Sequence, residues 1–187
     1  MIPPLVSQAL HHAASQGFDR SCTPEVGRLL RLLAGHQRTG SVGEIGTGCG
    51  VGTAWMASAL QPGVSLLTVE SDNSLSSKVA DLFQLVPAVS VLSGDWREIL
   101  PHAPFALLFV DAADPKRDHP DELLEVMQPG GMIVLDDFTP IEAWPPTWHD
   151  RVDSVRDFWL HDPRLRSVEL RVAPTMSVIL AITPGRP

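Results

Sequence analysis

Cysteine is scarce in this 187-residue sequence, which contains only Cys22 and Cys49. Cys49 lies inside a glycine-rich stretch whose backbone a structural disulfide would obstruct, so a reducing compartment is the simpler interpretation. The N-terminus, Met1-Ile2-Pro3-Pro4, lacks the basic start and apolar run of a secretory signal. No later apolar stretch approaches the length that crosses a bilayer. We therefore expect a cytoplasmic protein that does not associate with membranes.

Positive charge is also in short supply. The 14 Lys and Arg residues are outnumbered by 22 Asp and Glu residues, which gives a formal net charge of −8. This balance disfavours nucleic acid or an anionic membrane as the main partner and fits a small neutral or cationic ligand better. The length and the 44% apolar composition predict one domain over residues 1–187. Residues 1–22 would form an N-terminal arm, in which His11 and His12 either cap a pocket or fray.

Short apolar runs alternate with helical patterns along most of the chain. Strands are predicted at Ser41–Gly46, Leu66–Ser71, Val89–Gly94, Phe105–Ala112 and Met132–Asp137. Helices are predicted at Thr23–Ala34, Val51–Leu60, Ser74–Leu85, Pro120–Met127 and Val152–His161. Strands that are apolar throughout and separated by helices indicate a parallel sheet covered on both faces. The fold class is therefore doubly wound, Rossmann-like α/β.

The last third of the chain departs from this alternation. Only three residues separate Leu165–Val172 from Met176–Thr183, and so short a link can only form an antiparallel hairpin. The hairpin would complete a seven-stranded, mostly parallel sheet. Residues 139–150 follow the fifth strand and are rich in proline and tryptophan. Trp144 and Trp148 in this loop would form a substrate wall, pack beneath the loop or contact a second copy in a homodimer.

The first strand runs into a loop with four glycines at alternate positions: Gly46, Gly48, Gly50 and Gly52. A dinucleotide-binding loop has its third glycine one residue later, where Val51 stands here. Glycines at such a turn permit unusual φ angles and let a ligand lie directly against the backbone at a helix N-terminus. An ordinary strand-to-helix turn needs only one or two of them.

Polar residues follow the second and third strands. Glu70 lies twenty positions after Gly50, where a carboxylate can accept hydrogen bonds from both hydroxyls of a ribose. Gly94 allows a close approach, Asp95 can accept from an adenine amino group, and Trp96 can cover a ring face. Asp95 is equally suited to begin a helix as its N-cap.

Acids also end the fourth and fifth strands, at Asp111, Asp136 and Asp137. Ligands of open α/β sheets bind beyond the carboxyl ends of the strands, so these acids, together with Asp95 after the third strand and Asp114 after the fourth, should converge on one crevice. Left uncompensated, three neighbouring carboxylates would repel one another, and the pKa of at least one would rise.

These motifs resemble the class I S-adenosylmethionine-dependent methyltransferases, and among them the small-molecule O-methyltransferases of the catechol and caffeoyl-CoA type. The resemblance covers Thr23 to Thr183 and is most specific at Val42–Gly50. It implies S-adenosylmethionine as cofactor, with Glu70 and Ser71 at the ribose and Gly94, Asp95 and Trp96 at the adenine. The methionine part would lie against Glu44, Gly46, Thr47, Gly48, Gly50 and Gly52. Asp111 would hold the methionine amino group or a metal.

Two departures from that family leave alternatives open. Metal-dependent members have an Asp-Asn pair where this sequence has Asp136-Asp137, so Mg²⁺ or Ca²⁺ on Asp111, Asp136 and Asp137 and a metal-free site both stay open. The family's lysine after the fourth-strand acid is replaced by Asp114. Lys116 and His119 are then the candidate bases beside Asp111, with simple proximity as the other choice.

The function expected from this resemblance is O-methylation of a small-molecule acceptor by in-line methyl transfer. A nicotinamide-dependent oxidoreductase is the first rival, since it shares a glycine loop and a distal acid, but it lacks an antiparallel end hairpin. A non-catalytic protein that binds S-adenosylmethionine is the second rival, because neither base nor metal follows from the sequence.

Overall fold

In the computed structural model, which describes residues 2–140 and 153–185, seven strands form one sheet. The strands are β1 (Ser41–Ile45), β2 (Ser65–Glu70), β3 (Val89–Ser93), β4 (Phe105–Val110), β5 (Met127–Phe138), β6 (Arg166–Ala173) and β7 (Met176–Ile182). The helices are α1 (Pro4–Ser15), α2 (Pro24–His36), α3 (Val51–Ala57), α4 (Asn73–Phe83), α5 (Ala113–Asp118), α6 (Pro120–Glu125) and α7 (Ser154–His161). A 3-10 helix covers Trp96–His102.

The strand order is β3-β2-β1-β4-β5-β7-β6. The five strands from β3 to β5 are parallel, and β7 runs antiparallel to both of its neighbours. Chain direction therefore reverses only in the C-terminal hairpin. This arrangement confirms the predicted doubly wound sheet with an antiparallel end.

Helices cover both faces of the sheet, as alternate residues of β4 demonstrate. Leu107 and Phe109 pack with residues of α2 and α3 in one apolar cluster. Leu108 and Val110 belong to a second cluster with Trp159 of α7 and residues of α6. All six residues of β4 are buried, as a central strand between two helical layers requires.

Sequence signals locate the helix starts better than some of the other boundaries. Thr23 caps α2, since its Oγ1 accepts from the Val26 N–H at 3.4 Å. By contrast, α3 ends at Ala57 rather than Leu60, and β5 begins at Met127 rather than Met132. The early start of β5 follows from pairing, because Met127 lies beside Phe105 of β4 before a register shift.

The N-terminal arm contains an ordered helix rather than a frayed end at His11 and His12. In α1 the side chains of Val6, Ala9 and Ala13 are buried. They share an apolar cluster with Trp55 of α3. These residues are spaced three and four positions apart, which is the spacing of one helix face. The prediction of a frayed N-terminal end does not take this spacing into account.

Trp144 and Trp148 lie outside the described residues, so the predicted substrate wall on the 139–150 loop stays a prediction. Only Thr139 and Pro140 of that loop belong to the described part. Among the helices of residues 2–140 and 153–185, none has the length and apolar character needed to cross a membrane.

The contact between α2 and α3 provides a test of the packing. A Cβ atom at Gly27 would lie 2.1 Å from Nε1 of the buried Trp55 ring. We expect Gly27→Ala to lower the free energy of unfolding by about 1–3 kcal/mol, because overpacking outweighs the better helix propensity of alanine. Urea denaturation would measure the change. Leu32→Ala on the exposed face of α2 is the control and should change stability by less than about 0.5 kcal/mol. Equal stability of Gly27→Ala and wild type would contradict the packing.

Candidate functional site

A cleft with a volume of about 380 Å³ opens at the carboxyl ends of β1, β2 and β4. Its described lining combines the glycine turn after β1, acids that follow the strands and a segment from the N-terminal arm. The lining residues are Phe18, Arg20, Ser21, Cys22, Glu44, Gly46, Thr47, Gly48, Cys49, Val51, Gly52, Glu70, Ser71, Asp72, Leu75, Phe109, Asp111, Ala112 and Asp137. The structure thus brings together most of the residues that the sequence assigns to the methionine and ribose parts of a cofactor.

The glycine turn needs its glycines for two different reasons. Gly46 has φ +94°, and a Cβ there would lie 2.7 Å from the Asp111 carbonyl oxygen. Gly48 has φ +53°, and a Cβ there would lie 2.9 Å from Cζ of Phe18. The Phe18 ring therefore occupies the space beside Gly48. The sequence assigns that space to a ligand. Both positions combine a left-handed backbone with a close contact that only glycine tolerates.

Glu70 anchors the turn to the neighbouring strand. Its Oε2 accepts from the Gly48 N–H at 2.8 Å, and its Oε1 accepts from the Asp72 N–H at 2.9 Å. Ser71 Oγ donates to the same Oε1 at 3.3 Å. A carboxylate has about four acceptor positions, so half-buried Glu70 retains capacity for a ligand hydroxyl.

Glu44 forms the floor of the cleft. It is 1% exposed, and the Thr53 hydroxyl donates a short hydrogen bond to it. A Cβ at Gly52 would lie 2.5 Å from Glu44 Oε1, which explains the fourth glycine of the loop. Burial raises the pKa of Glu44 from 4.5 to about 7, against the effect of its hydrogen bonds with Thr53 and Thr68.

Three acids meet where β4 and β5 end side by side. Asp111, Asp136 and Asp137 each offer a carboxylate oxygen within 4.8 Å of the others. Burial and the neighbouring charges of Asp136 and Asp137 raise the pKa of Asp111 to about 8. Burial likewise raises the pKa of Asp136 to about 6. The structure brings these three acids together as expected, whereas Asp95 and Asp114, also expected in the same crevice, do not line the cleft in the part of the chain that the structure describes. The upward direction of the Asp111 pKa agrees with the expectation for neighbouring carboxylates.

The backbone at these acids has an unusual conformation. Asp137 has φ +65°, a left-handed conformation that is uncommon for residues other than glycine. In this conformation its N–H donates to Asp136 Oδ1 at 2.8 Å. This irregular part of β5 therefore holds the Asp136 carboxylate through a backbone donor and leaves the exposed Asp137 side chain at the cleft.

Lys116 corrects the view that these carboxylates are uncompensated. Its side chain is buried, and Nζ donates to the Asp136 carbonyl oxygen at 2.7 Å. The charge of Lys116 lowers the pKa of Asp111 and of Asp136, opposing the effect of burial. Lys116 lines an adjoining cavity of about 180 Å³ together with Asp137. The geometry gives Lys116 the position of a counter-cation.

His119 does not reach the cleft in the described structure. Its Nδ1 lies 2.8 Å from Glu122 Oε1, and its Nε2 lies 3.1 Å from an Arg97 nitrogen. Its ring also packs near Trp96, with centroids 5.6 Å apart. These contacts place His119 in a polar cluster between the 3-10 helix and α6.

The predicted adenine-binding residues adjoin the cleft without lining it in the described structure. The Gly94 N–H donates to the Glu70 carbonyl at 2.9 Å, which places this turn beside the predicted ribose acceptor. Asp95 caps the 3-10 helix by accepting from the Arg97 N–H. The Trp96 Nε1 donates to Asp114 at 3.0 Å, and Arg97 covers a ring face. The adenine assignment stays a prediction.

Comparison with known proteins shows which protein family the chain is similar to. Residues 44–138, just over half of the chain, match the family model of a methyltransferase domain. The chain is 32% identical over 126 residues to catechol O-methyltransferase from Niastella koreensis, an alignment that covers 62% of this chain and 57% of that protein. The chain thus spans a little over half the length of the curated relatives it matches.

Solved structures resemble the chain over nearly its whole length. The O-methyltransferase TomG from Streptomyces achromogenes, involved in tomaymycin synthesis and solved in complex with S-adenosylmethionine, is 25% identical. Its TM-score is 0.79, and the match covers 99% of this chain and 92% of that one. An O-methyltransferase from Bacillus cereus, solved with S-adenosylhomocysteine, shares the fold with a TM-score of 0.81 at 24% identity, covering 98% and 92% of the two chains.

The protonation of Glu44 provides a pH test. The pKa of Glu44 is raised on folding, so the unfolded chain loses this proton above pH 4.5 whereas the folded chain keeps it to about pH 7. The free energy of unfolding should therefore fall as pH rises through this window, by about 3 kcal/mol from Glu44 alone. Glu44→Gln should remove that part of the slope in urea denaturation series.

The comparison between variants reports Glu44 together with its smaller effect on Asp111, whose pKa the charge of Glu44 raises. Glu98→Gln, an exposed acid of the 3-10 helix, is the matched control and should leave the slope unchanged. Parallel pH profiles for wild type and Glu44→Gln would rule out a buried, protonated Glu44.

Proposed function

The chain belongs to the methyltransferase-domain family, and from this membership we propose that it transfers the methyl group of S-adenosylmethionine to an oxygen of a small-molecule acceptor. When bound, S-adenosylmethionine supplies an electrophilic methyl group on a positively charged sulfur. The observation that carries the proposal is the hydrogen bond from the Gly48 N–H to Glu70. It joins a four-glycine turn to a strand-end carboxylate within one cleft.

The charges of the cleft support a cationic cofactor. Glu70 and Asp72 lie at the end of β2, while Asp111 and Asp137 lie at the ends of β4 and β5. A cleft lined mainly with acidic side chains concentrates ligands of positive charge. Glu70 has free acceptor capacity for ribose hydroxyls, and the glycine turn lets the methionine part approach the backbone. The residues thereby supply position and alignment, which are the main requirements of an in-line displacement.

We further infer that Asp111, Asp136 and Asp137 hold Mg²⁺ or Ca²⁺. Both cations prefer oxygen ligands, and the three carboxylates offer oxygens within 4.8 Å of one another. A bound cation would lower the pKa of an acceptor hydroxyl nearby. Desolvation and mutual repulsion raise the pKa of Asp111, so a cation would also keep this carboxylate ionised.

Of the three candidate catalytic residues, we infer that Asp111 is the one that faces the methyl acceptor. It lines the cleft, whereas Lys116 donates to the Asp136 carbonyl and His119 lies in the cluster with Glu122. In this proposal Lys116 positions Asp136 and offsets its charge. His119 takes no part in proton transfer.

Calorimetry tests the cofactor. We expect wild type to bind S-adenosylmethionine and its demethylated product, and Glu70→Ala to bind them about 5- to 150-fold more weakly, because hydrogen bonds to a charged acceptor are lost. Glu70→Gln keeps an oxygen for the Gly48 N–H and should give an intermediate loss. Glu125→Ala, an exposed acid of α6, is the control and should bind as wild type does.

A nicotinamide nucleotide serves as the comparison ligand in the same experiment. Binding of that nucleotide in place of S-adenosylmethionine would support the oxidoreductase alternative and refute the proposal. Unchanged affinity in Glu70→Ala would remove Glu70 from the ligand site. Binding without methyl transfer to any of a panel of phenolic and other hydroxylated acceptors would favour the non-catalytic alternative.

Thermal unfolding tests the cation. After treatment with a chelator, Mg²⁺ or Ca²⁺ at millimolar concentration should raise the Tm near neutral pH, and the gain should grow with ion concentration. Asp137→Ala should reduce this gain, because it removes one of the oxygen ligands. Glu125→Ala should retain it. An identical Tm with and without either cation, in protein that still binds S-adenosylmethionine, would contradict the metal assignment.

A further inference from the structure

One basic side chain faces an otherwise acidic cleft. Among the lining residues of the described structure, Arg20 is the only lysine or arginine. The acids that line the same cleft are Glu44, Glu70, Asp72, Asp111 and Asp137. Nothing in the methyltransferase motifs of the sequence draws attention to Arg20, which lies before the first of them.

Two contacts relate Arg20 to the glycine turn through the Phe18 ring. The Arg20 guanidinium carbon lies 5.3 Å from the centroid of the Phe18 ring. That ring in turn bounds the backbone at Gly48, where a Cβ would lie 2.9 Å from Phe18 Cζ. Arg20 therefore stands at the side of the cleft that faces the turn after β1.

The next residues of this segment reach toward the floor of the cleft. Cys22 lines it, and burial raises the pKa of its thiol, with further increases from the charges of Glu44, Asp136 and Asp111. These are residues of the methionine end in the proposed function. The segment from Phe18 to Cys22 thus covers the end of the cleft where a methionine moiety would lie.

Arg20 has no carboxylate partner in the part of the chain that the structure describes, and its guanidinium lies over the Phe18 ring. Several other arginines of the described structure do have such partners, as in the pairs Arg97–Glu122, Arg117–Asp118, Arg156–Asp153 and Arg164–Asp162. Arg20 is also exposed, so its guanidinium is available. A planar guanidinium can bind a carboxylate through two parallel hydrogen bonds.

The proposed cofactor contains an anionic group that could pair with Arg20. The methionine part of S-adenosylmethionine carries an ammonium, a sulfonium and a carboxylate. The acids of the cleft other than Glu44 and Asp111, whose pKa values are raised, suit the two cationic groups but repel the carboxylate. We propose that Arg20 binds this carboxylate and is the residue by which the cleft selects a cofactor with an intact amino-acid end. This inference rests on the proposed function.

Decarboxylated S-adenosylmethionine, which lacks only this carboxylate, is the probe. Calorimetry should compare it with S-adenosylmethionine in wild type, Arg20→Ala and Arg20→Lys. We expect wild type to prefer S-adenosylmethionine by roughly ten- to a hundredfold. Arg20→Ala should lose that preference, because binding of S-adenosylmethionine falls while binding of the decarboxylated compound changes by less than about threefold. Arg20→Lys should keep part of the preference, since lysine retains the charge without the fork.

Arg31→Ala is the control for a general loss of positive charge. Arg31 is an exposed arginine of α2 outside the cleft lining, so its removal should leave the preference intact. Melting temperatures of all variants should match wild type, because neither arginine is buried.

Three results would overturn the inference, and they separate it from the proposed function. If Arg20→Ala weakens both compounds equally, Arg20 acts on cleft shape and not on the carboxylate. If Arg20→Ala weakens the binding of neither compound, Arg20 does not bind the cofactor carboxylate. Both results leave S-adenosylmethionine binding by wild type in place. Failure of wild type to bind either compound would remove the proposed function and this inference together.

Discussion

The parallel register of β1 with both of its neighbours is the constraint on which the site depends. Ile45, the last residue of β1, pairs with Val69 of β2 and with Val110 of β4. The three strands β1, β2 and β4 therefore end at the same level along the sheet. Backbone bonds continue this alignment past the strands, from the Gly46 N–H to Val69 and from the Asp111 N–H to Ile45. Any slip of one residue would move Glu70 or Asp111 to the other face of the sheet.

Electrostatics then determines what such an edge can bind. Several carboxyl groups lie together at this edge of the sheet, and the structure stabilises them in different ways. Burial raises the pKa of Glu44 so that it holds a proton near neutrality. Glu70 accepts backbone N–H groups, and Lys116 donates to the carbonyl of Asp136 beside the acid cluster. The remaining negative charge favours a cationic ligand, in agreement with the proposed sulfonium cofactor and the proposed divalent ion.

Much of this architecture could be predicted from the sequence because its signals are local. Buried strands appear as continuous apolar runs, and the four glycines mark the turn that follows β1. Strand-end acids such as Glu70 and Asp111 fall on one edge as soon as the sheet is taken as parallel. The antiparallel hairpin follows from the three-residue link between β6 and β7 alone.

The parts that could not be predicted depend on contacts between distant segments. The Phe18–Gly48 contact brings the N-terminal arm over the cleft, and no periodic pattern encodes a meeting of residues thirty positions apart. Lys116 and His119 are close in sequence, yet only packing decides that one is buried beside Asp136 and the other lies next to Glu122. The burial of α1 was available from the spacing of Val6, Ala9 and Ala13, but short helices near a terminus give a weak signal.

A crystal structure of the protein with S-adenosylhomocysteine would test whether the aligned strand ends form the cofactor site. We expect the product in the cleft at the ends of β1, β2 and β4, with its ribose hydroxyls at Glu70 and its homocysteine part between the glycine turn and the segment from Phe18 to Cys22. Product density elsewhere on the sheet, or a ribose that makes no contact with Glu70, would contradict this expectation.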